Sequence, residues 1–112
     1  ESLIPRLLKP NPAPDLPQKL RTLMSPQSPD AVIAAQTAMA NRPDQTDLLP
    51  HVNIPALIIV GIHDIITPPS AAQTLHQIPN SQLLQIQNAG HMTPLEAPDS
   101  VNTAIEKFAA GI

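Results

Sequence analysis

The stretch Pro55-Ala56-Leu57-Ile58-Ile59-Val60-Gly61-Ile62-His63-Asp64-Ile65-Ile66-Thr67-Pro68-Pro69 decides the fold. Ala56 to Val60 is an unbroken apolar run between Pro55 and Gly61. It has strand length, and its lack of polar alternation implies burial on both faces, as in a parallel strand. A loop follows, in which Thr67 is placed to cap the next helix with Pro68 at its first position. That helix carries Ala71, Ala72 and Leu75 and is expected to extend toward Ile78.

Pro79-Asn80 turns the chain, and Ser81 to Gln87 reads as a second strand with Leu83, Leu84 and Ile86 apolar. Asn88-Ala89-Gly90-His91 is a loop. A last helix runs from near Pro98 to Gly111, with Val101, Ala104, Ile105 and Phe108 as its buried stripe and Gly111 as the residue that ends it. A strand–helix–strand crossover of this length implies parallel strands joined right-handedly, and so an α/β fold. A sheet of two strands cannot bury both faces alone. The domain is therefore expected to be incomplete, with further strands upstream and an isolated chain of low stability.

The first half has another character. Fifteen prolines against three glycines punctuate the chain, and the prolines crowd its start, as in Lys9-Pro10-Asn11-Pro12-Ala13-Pro14. Short helices between stiff connectors are expected there. One starts at Asp15, with Gln18 three residues on and Leu16, Leu20, Leu23 and Met24 on one stripe. Another starts at Ser28 with Pro29 at its first position, runs to about Asn41, and offers Val32, Ala35 and Met39 as an apolar face.

Composition excludes several functions. The net charge is −3 with only 6 Lys plus Arg, scattered, so no basic stripe exists to neutralise phosphates; nucleic acid is not an expected partner, nor is an anionic membrane surface. No apolar stretch approaches the ~20 residues that span a bilayer. Cysteine is absent, which removes disulfides and thiolate sites. The chain opens on Glu1 with no visible signal peptide, which leaves a cytoplasmic location as the default expectation. Hydrophobic residues make up 42% of the chain, but Phe108 is its one aromatic, so the core is aliphatic.

Asp64 lies just past the end of the first strand and His91 just past the end of the second. In a parallel sheet both emerge at the same edge, where sites of open α/β sheets gather. A carboxylate there can accept a proton from one imidazole nitrogen, leaving the other as general base and then acid for a nucleophile. Read on position alone, Asp64 is better explained by a loop or turn than by catalysis, and His91 fits an ordinary loop histidine. His51, His63 and His76 read as solvated, and His63 beside Asp64 lacks the spacing of a metal site, so no metal or cofactor is expected.

From about Leu48 onward the chain resembles the C-terminal portion of the α/β-hydrolase family. The residues that carry the resemblance are Ile54-Pro55-Ala56-Leu57-Ile58-Ile59-Val60-Gly61, Asp64-Ile65-Ile66-Thr67-Pro68, Ile78-Pro79-Asn80, Ala89-Gly90-His91 and Glu96-Ala97-Pro98, in order. The resemblance implies that Asp64 is the triad acid and His91 the triad histidine. It makes residues 1–50 the end of a helical cap or lid and 51–112 the last strands and helices of the core. Thr67-Pro68-Pro69 is similar to 3-oxoadipate enol-lactonase-like members. Met92 is a substrate-binding candidate at the pocket rim, with packing an equal alternative. Glu96 is expected to support the loop or the helix start by hydrogen bonding.

The family's nucleophile sits on a Gly-x-Ser-x-Gly elbow. No glycine here lies two residues from a serine. The sequence therefore implies a part of a serine-type hydrolase that supplies acid and histidine for a small ester, lactone or similar acyl substrate. The nucleophile and the N-terminal half would come from elsewhere, and the chain alone is expected to be inactive. Relatives with an aspartate nucleophile remain open. So does a reading from another class: a ligand-binding protein, or a complementing subunit, of the same fold.

Overall fold

The computed structural model describes residues 3–112. Strand β1 (Ala56–Gly61) and strand β2 (Ser81–Ile86) form a two-stranded parallel sheet, paired from Ala56 with Ser81 to Gly61 with Ile86. The crossover between them is helix α4 (Pro69–Leu75). Upstream lie α1 (Ile4–Leu7), α2 (Leu16–Met24), α3 (Pro29–Ala40) and a 3-10 turn at Thr46–His51; downstream lie α5 (Thr93–Glu96) and α6 (Pro98–Ala110).

The register explains the layering. Side chains alternate between sheet faces along a strand. Ile58 and Val60 therefore share a face with Leu83, and they pack there with Ala72 of α4. Ile59, Leu84 and Ile86 share the other face and pack with Ala89, Ala97 and Val101 of the α6 side. Helices thus cover both faces of the sheet, the α/β arrangement expected of an unalternating strand. A third cluster stands apart: Ile4, Leu8, Leu16 and Leu20 pack together, and Leu7, Met92 and Leu95 lean on it. The two short N-terminal helices are thereby fastened to the loop that carries His91.

Several local expectations are corrected. Thr67 does not cap α4; the helix begins at Pro69, Pro68 holds the cap position without a side-chain bond, and the Thr67 hydroxyl turns to Asp64 instead. Ile78 lies beyond that helix. Asp15 makes no side-chain cap because its backbone is already helical, with Leu16 N–H donating to the Ala13 carbonyl. Ser28 does cap, its Oγ accepting from Ala31 N–H at 3.1 Å. The proposed apolar face of α3 is not buried: Val32 is 48% and Met39 63% exposed, and no residue of α3 is buried. In α6 only Val101 is buried, while Ile105 is 49% exposed. Gly111 ends α6 with φ −93°, not in the left-handed region, so the stop needs no glycine there. Helix α5 was not foreseen; four residues carry no readable period.

Candidate active site

Both strands end at the same edge, and the chain leaving β1 continues to bond the chain leaving β2. Ile62 N–H donates to the Ile86 carbonyl and His63 N–H to the Ala89 carbonyl, each at 3.0 Å. Asp64 N–H then closes a tight turn onto the Gly61 carbonyl at 3.1 Å. That turn places the Asp64 carboxylate over the loop after β2.

Two glycines permit this crossing. A Cβ on Gly61 would collide with the backbone of Ala89 and the carbonyl oxygen of Gly90. A Cβ on Gly90 would stand 2.7 Å from Lys9 N and 2.8 Å from the Leu8 carbonyl carbon. Neither glycine has positive φ. The requirement is close backbone approach, and β1, the His91 loop and the Leu8–Lys9 backbone meet without side chains between them.

Asp64 is 6% exposed and fully committed. Its Oδ1 accepts from Ile66 N–H and Thr67 N–H, each at 2.9 Å. Its Oδ2 accepts from the Thr67 hydroxyl at 3.0 Å and from His91 Nδ1 at 2.9 Å. Burial pushes the carboxyl pKa up, but the bonds from His91, from Thr67 and Ile66 N–H and from the Thr67 hydroxyl outweigh it. The net shift is down, so Asp64 is held ionised. An ionised carboxylate only accepts, which assigns the shared proton to Nδ1 and points Nε2 away from Asp64.

His91 is held by its backbone as well. The Leu7 carbonyl accepts from His91 N–H at 3.0 Å and from Met92 N–H at 3.2 Å. Glu96 adds a second clamp: Oε2 accepts from Gly90 N–H at 2.8 Å and Met92 N–H at 3.2 Å, and Oε1 from Lys9 N–H at 2.6 Å. The expected supporting role of Glu96 is thus a three-donor clip around His91. Its reach to Lys9 could not be read from sequence, because the partner is 87 residues away.

The imidazole is 32% exposed and opens into a cleft of about 530 Å³ that Asp64, Thr67, Arg42 and Thr93 also line. No described serine hydrogen-bonds to His91. Met92, the rim candidate, packs against the Ile4–Leu20 cluster and is not part of that cleft's wall. His51 and His63 are exposed, and His76, also exposed, bonds the Ser81 hydroxyl at 2.8 Å. Among the described residues no group of three His, Asp or Glu could hold a metal ion. Among them, too, no helix is long and apolar enough to cross a membrane. Another cavity of about 550 Å³ lies away from the pair, lined by Leu57, Leu83, Asp99 and Lys107, with no histidine in its wall.

The family model described as TAP-like protein matches residues 24–110. A thermophilic esterase from Thermogutta terrifontis, solved with malate bound, superposes with a TM-score of 0.92 at 38% identity, over 98% of this chain and 42% of that one. The esterase EaEST from Exiguobacterium antarcticum shares the fold, with a TM-score of 0.80 at 23% identity over 96% of this chain and 41% of that one. BpoC of Mycobacterium tuberculosis, which carries a non-heme bromoperoxidase name, is 39% identical over 72 residues, 61% of this chain and 28% of its own length. The chain therefore spans about two fifths of the esterases and little more than a quarter of BpoC.

Proposed function

Since the chain belongs to the TAP-like family of α/β-hydrolases, we propose that it supplies the acid and the histidine of a serine-type hydrolase acting on a small ester, lactone or similar acyl substrate. His91 Nε2 takes the proton of a nucleophile's hydroxyl, then returns it to the leaving group. Asp64 stays ionised, holds the ring by Nδ1 and steadies the imidazolium. The nucleophile comes from the part of the fold that the related esterases have and residues 3–112 lack. By itself the chain does not turn over an ester.

The observation that carries this reading is the 2.9 Å bond between Asp64 Oδ2 and His91 Nδ1, with the ring opening into a cleft. The same reading treats residues up to about 50 as the end of a cap. The exposed apolar side chains of α3, Val32, Ile33 and Met39, support that, since a cap covers substrate with such a surface. Met92 then serves to pack the His91 loop onto α1 and α2.

A chimera tests the proposal. This chain replaces the matching 42% of the Thermogutta esterase, and hydrolysis of a p-nitrophenyl ester is followed. Hydrolysis is expected from the chimera and not from the chain alone, with His91→Ala lowering kcat by a factor of about 10³ or more. A chimera whose activity ignores His91→Ala would remove the assignment.

A further inference from the structure

The geometry points to Thr67 as a positioning residue whose hydroxyl, donating to the same carboxylate oxygen that serves His91, sets how strongly Asp64 holds the His91 proton. This rests on the reading of Asp64 and His91 as an acid–histidine pair.

Thr67 grips both carboxylate oxygens. Its N–H donates to Oδ1 at 2.9 Å and its hydroxyl to Oδ2 at 3.0 Å. The hydroxyl oxygen also stands 3.3 Å from His91 Nδ1, so Asp64, Thr67 and His91 form one closed triangle of polar atoms. Each oxygen of Asp64 accepts two donors, which fills the four lone-pair sites of a carboxylate. Two of those four donors are backbone groups that orient Oδ1. The Thr67 hydroxyl is the one side-chain donor besides His91, and it acts on the oxygen that matters for the ring.

The electrostatic consequence has a definite sign. A donor on Oδ2 draws charge from that oxygen and weakens its hold on an imidazolium. Removing the hydroxyl concentrates charge on Oδ2, so the protonated ring is favoured. A merely structural threonine, closing the turn before α4, would affect stability and leave the proton equilibrium of His91 unchanged. Other groups near the pair do not supply this effect. Arg42 lines the same cleft, and Glu96 is bonded to the N–H groups of Gly90, Met92 and Lys9; exposed His63 is the chain neighbour of Asp64. None of the three is hydrogen-bonded to Asp64, Thr67 or His91.

The test is an NMR titration of the His91 ring protons in the full chain, the resonance being identified by its loss in His91→Ala. Thr67→Val keeps the shape and removes the donor; it is expected to raise the titration midpoint by about half a pH unit or more, while Thr67→Ser keeps the wild-type value. If Thr67→Val lacks a dispersed spectrum, Thr67→Ala takes its place. Asp64→Asn is expected to lower the midpoint. If Asp64→Asn lowers it and neither Thr67→Val nor Thr67→Ala raises it, the role of Thr67 is overturned and the pair stands. If Asp64→Asn leaves it unmoved, the pair itself is wrong and the role of Thr67 goes with it.

Discussion

Glu96 accepts the backbone N–H of Gly90 at 2.8 Å, and so holds the residue immediately before His91 from a position six residues further along. The same carboxylate oxygen takes Met92 N–H, and the other oxygen takes Lys9 N–H. One side chain thereby satisfies three backbone donors in a part-buried loop that has no sheet ladder to satisfy them.

Replacing Glu96 by alanine should leave Gly90 N–H and Lys9 N–H without that partner, while Met92 N–H keeps the Leu7 carbonyl. A buried donor left unsatisfied costs about 1–3 kcal/mol, so a loss of at least about 2 kcal/mol is expected. Amide hydrogen exchange should accelerate at Lys9 and Gly90 together. Acceleration at Gly90 without Lys9 would mean that the Glu96 bond does not hold the N-terminal segment.

Gly61→Ala sets a Cβ into the backbone of Ala89 and Gly90. Backbone cannot yield as a flexible side chain can, so a destabilisation of about 2 kcal/mol or more is expected. Gly111→Ala is the control: its Cβ would meet atoms no nearer than 3.6 Å, and φ is −93°. That change should be neutral or slightly stabilising. Urea unfolding of both variants decides the matter, and equal midpoints would contradict the close approach.

Asp64 makes stability depend on pH. Its folded pKa lies below the ordinary aspartate value, because the bonds to His91, Thr67 and Ile66 outweigh burial. The folded chain therefore binds the proton less readily than the unfolded one. The contribution is present above about pH 4 and is lost as pH falls through the folded value. Asp64→Asn should be less stable near neutrality and should show a flatter decline on acidification. An unchanged acid limb in the variant would place the titrating group elsewhere.

Leu20 is 2% exposed within the α1–α2 cluster, while Leu23 on the same helix is 55% exposed. Leu20→Ala should cost about 2–5 kcal/mol, and Leu23→Ala less than about 0.5 kcal/mol. Because that cluster also seats Met92 and Leu95, Leu20→Ala should broaden the ring signals of His91 as well. A large loss of stability with a sharp His91 signal would separate the cluster from the site.

The central part of the fold was legible because its signals are local. An apolar run between Pro55 and Gly61 has one strand reading, and Ser28-Pro29 one helix-start reading, and both stand in the structure. Thr67 was misread for the same reason: a threonine before Pro-Pro looks like a cap, and only the fold brings Asp64 and His91 within reach of its hydroxyl. The burial of α3 and of the Ile105 side of α6 was misjudged because a stripe shows which face could be covered, not whether anything covers it.

By itself the sequence determined the order of the two strands and of helices α2, α3, α4 and α6, the α/β class and the fact that an acid and a histidine follow successive parallel strands. These depend on periodicity, on proline and glycine positions and on the alternation of side chains along a strand, all short-range properties. The tertiary structure alone decided that Asp64 and His91 bond through Nδ1, that Thr67 shares the same oxygen, that Leu7 holds the His91 loop from more than eighty residues away, and that Glu96 ties that loop to Lys9. Hydrogen bonds act over about 3 Å, and spacing along the chain does not say which distant backbones the packing will bring that close.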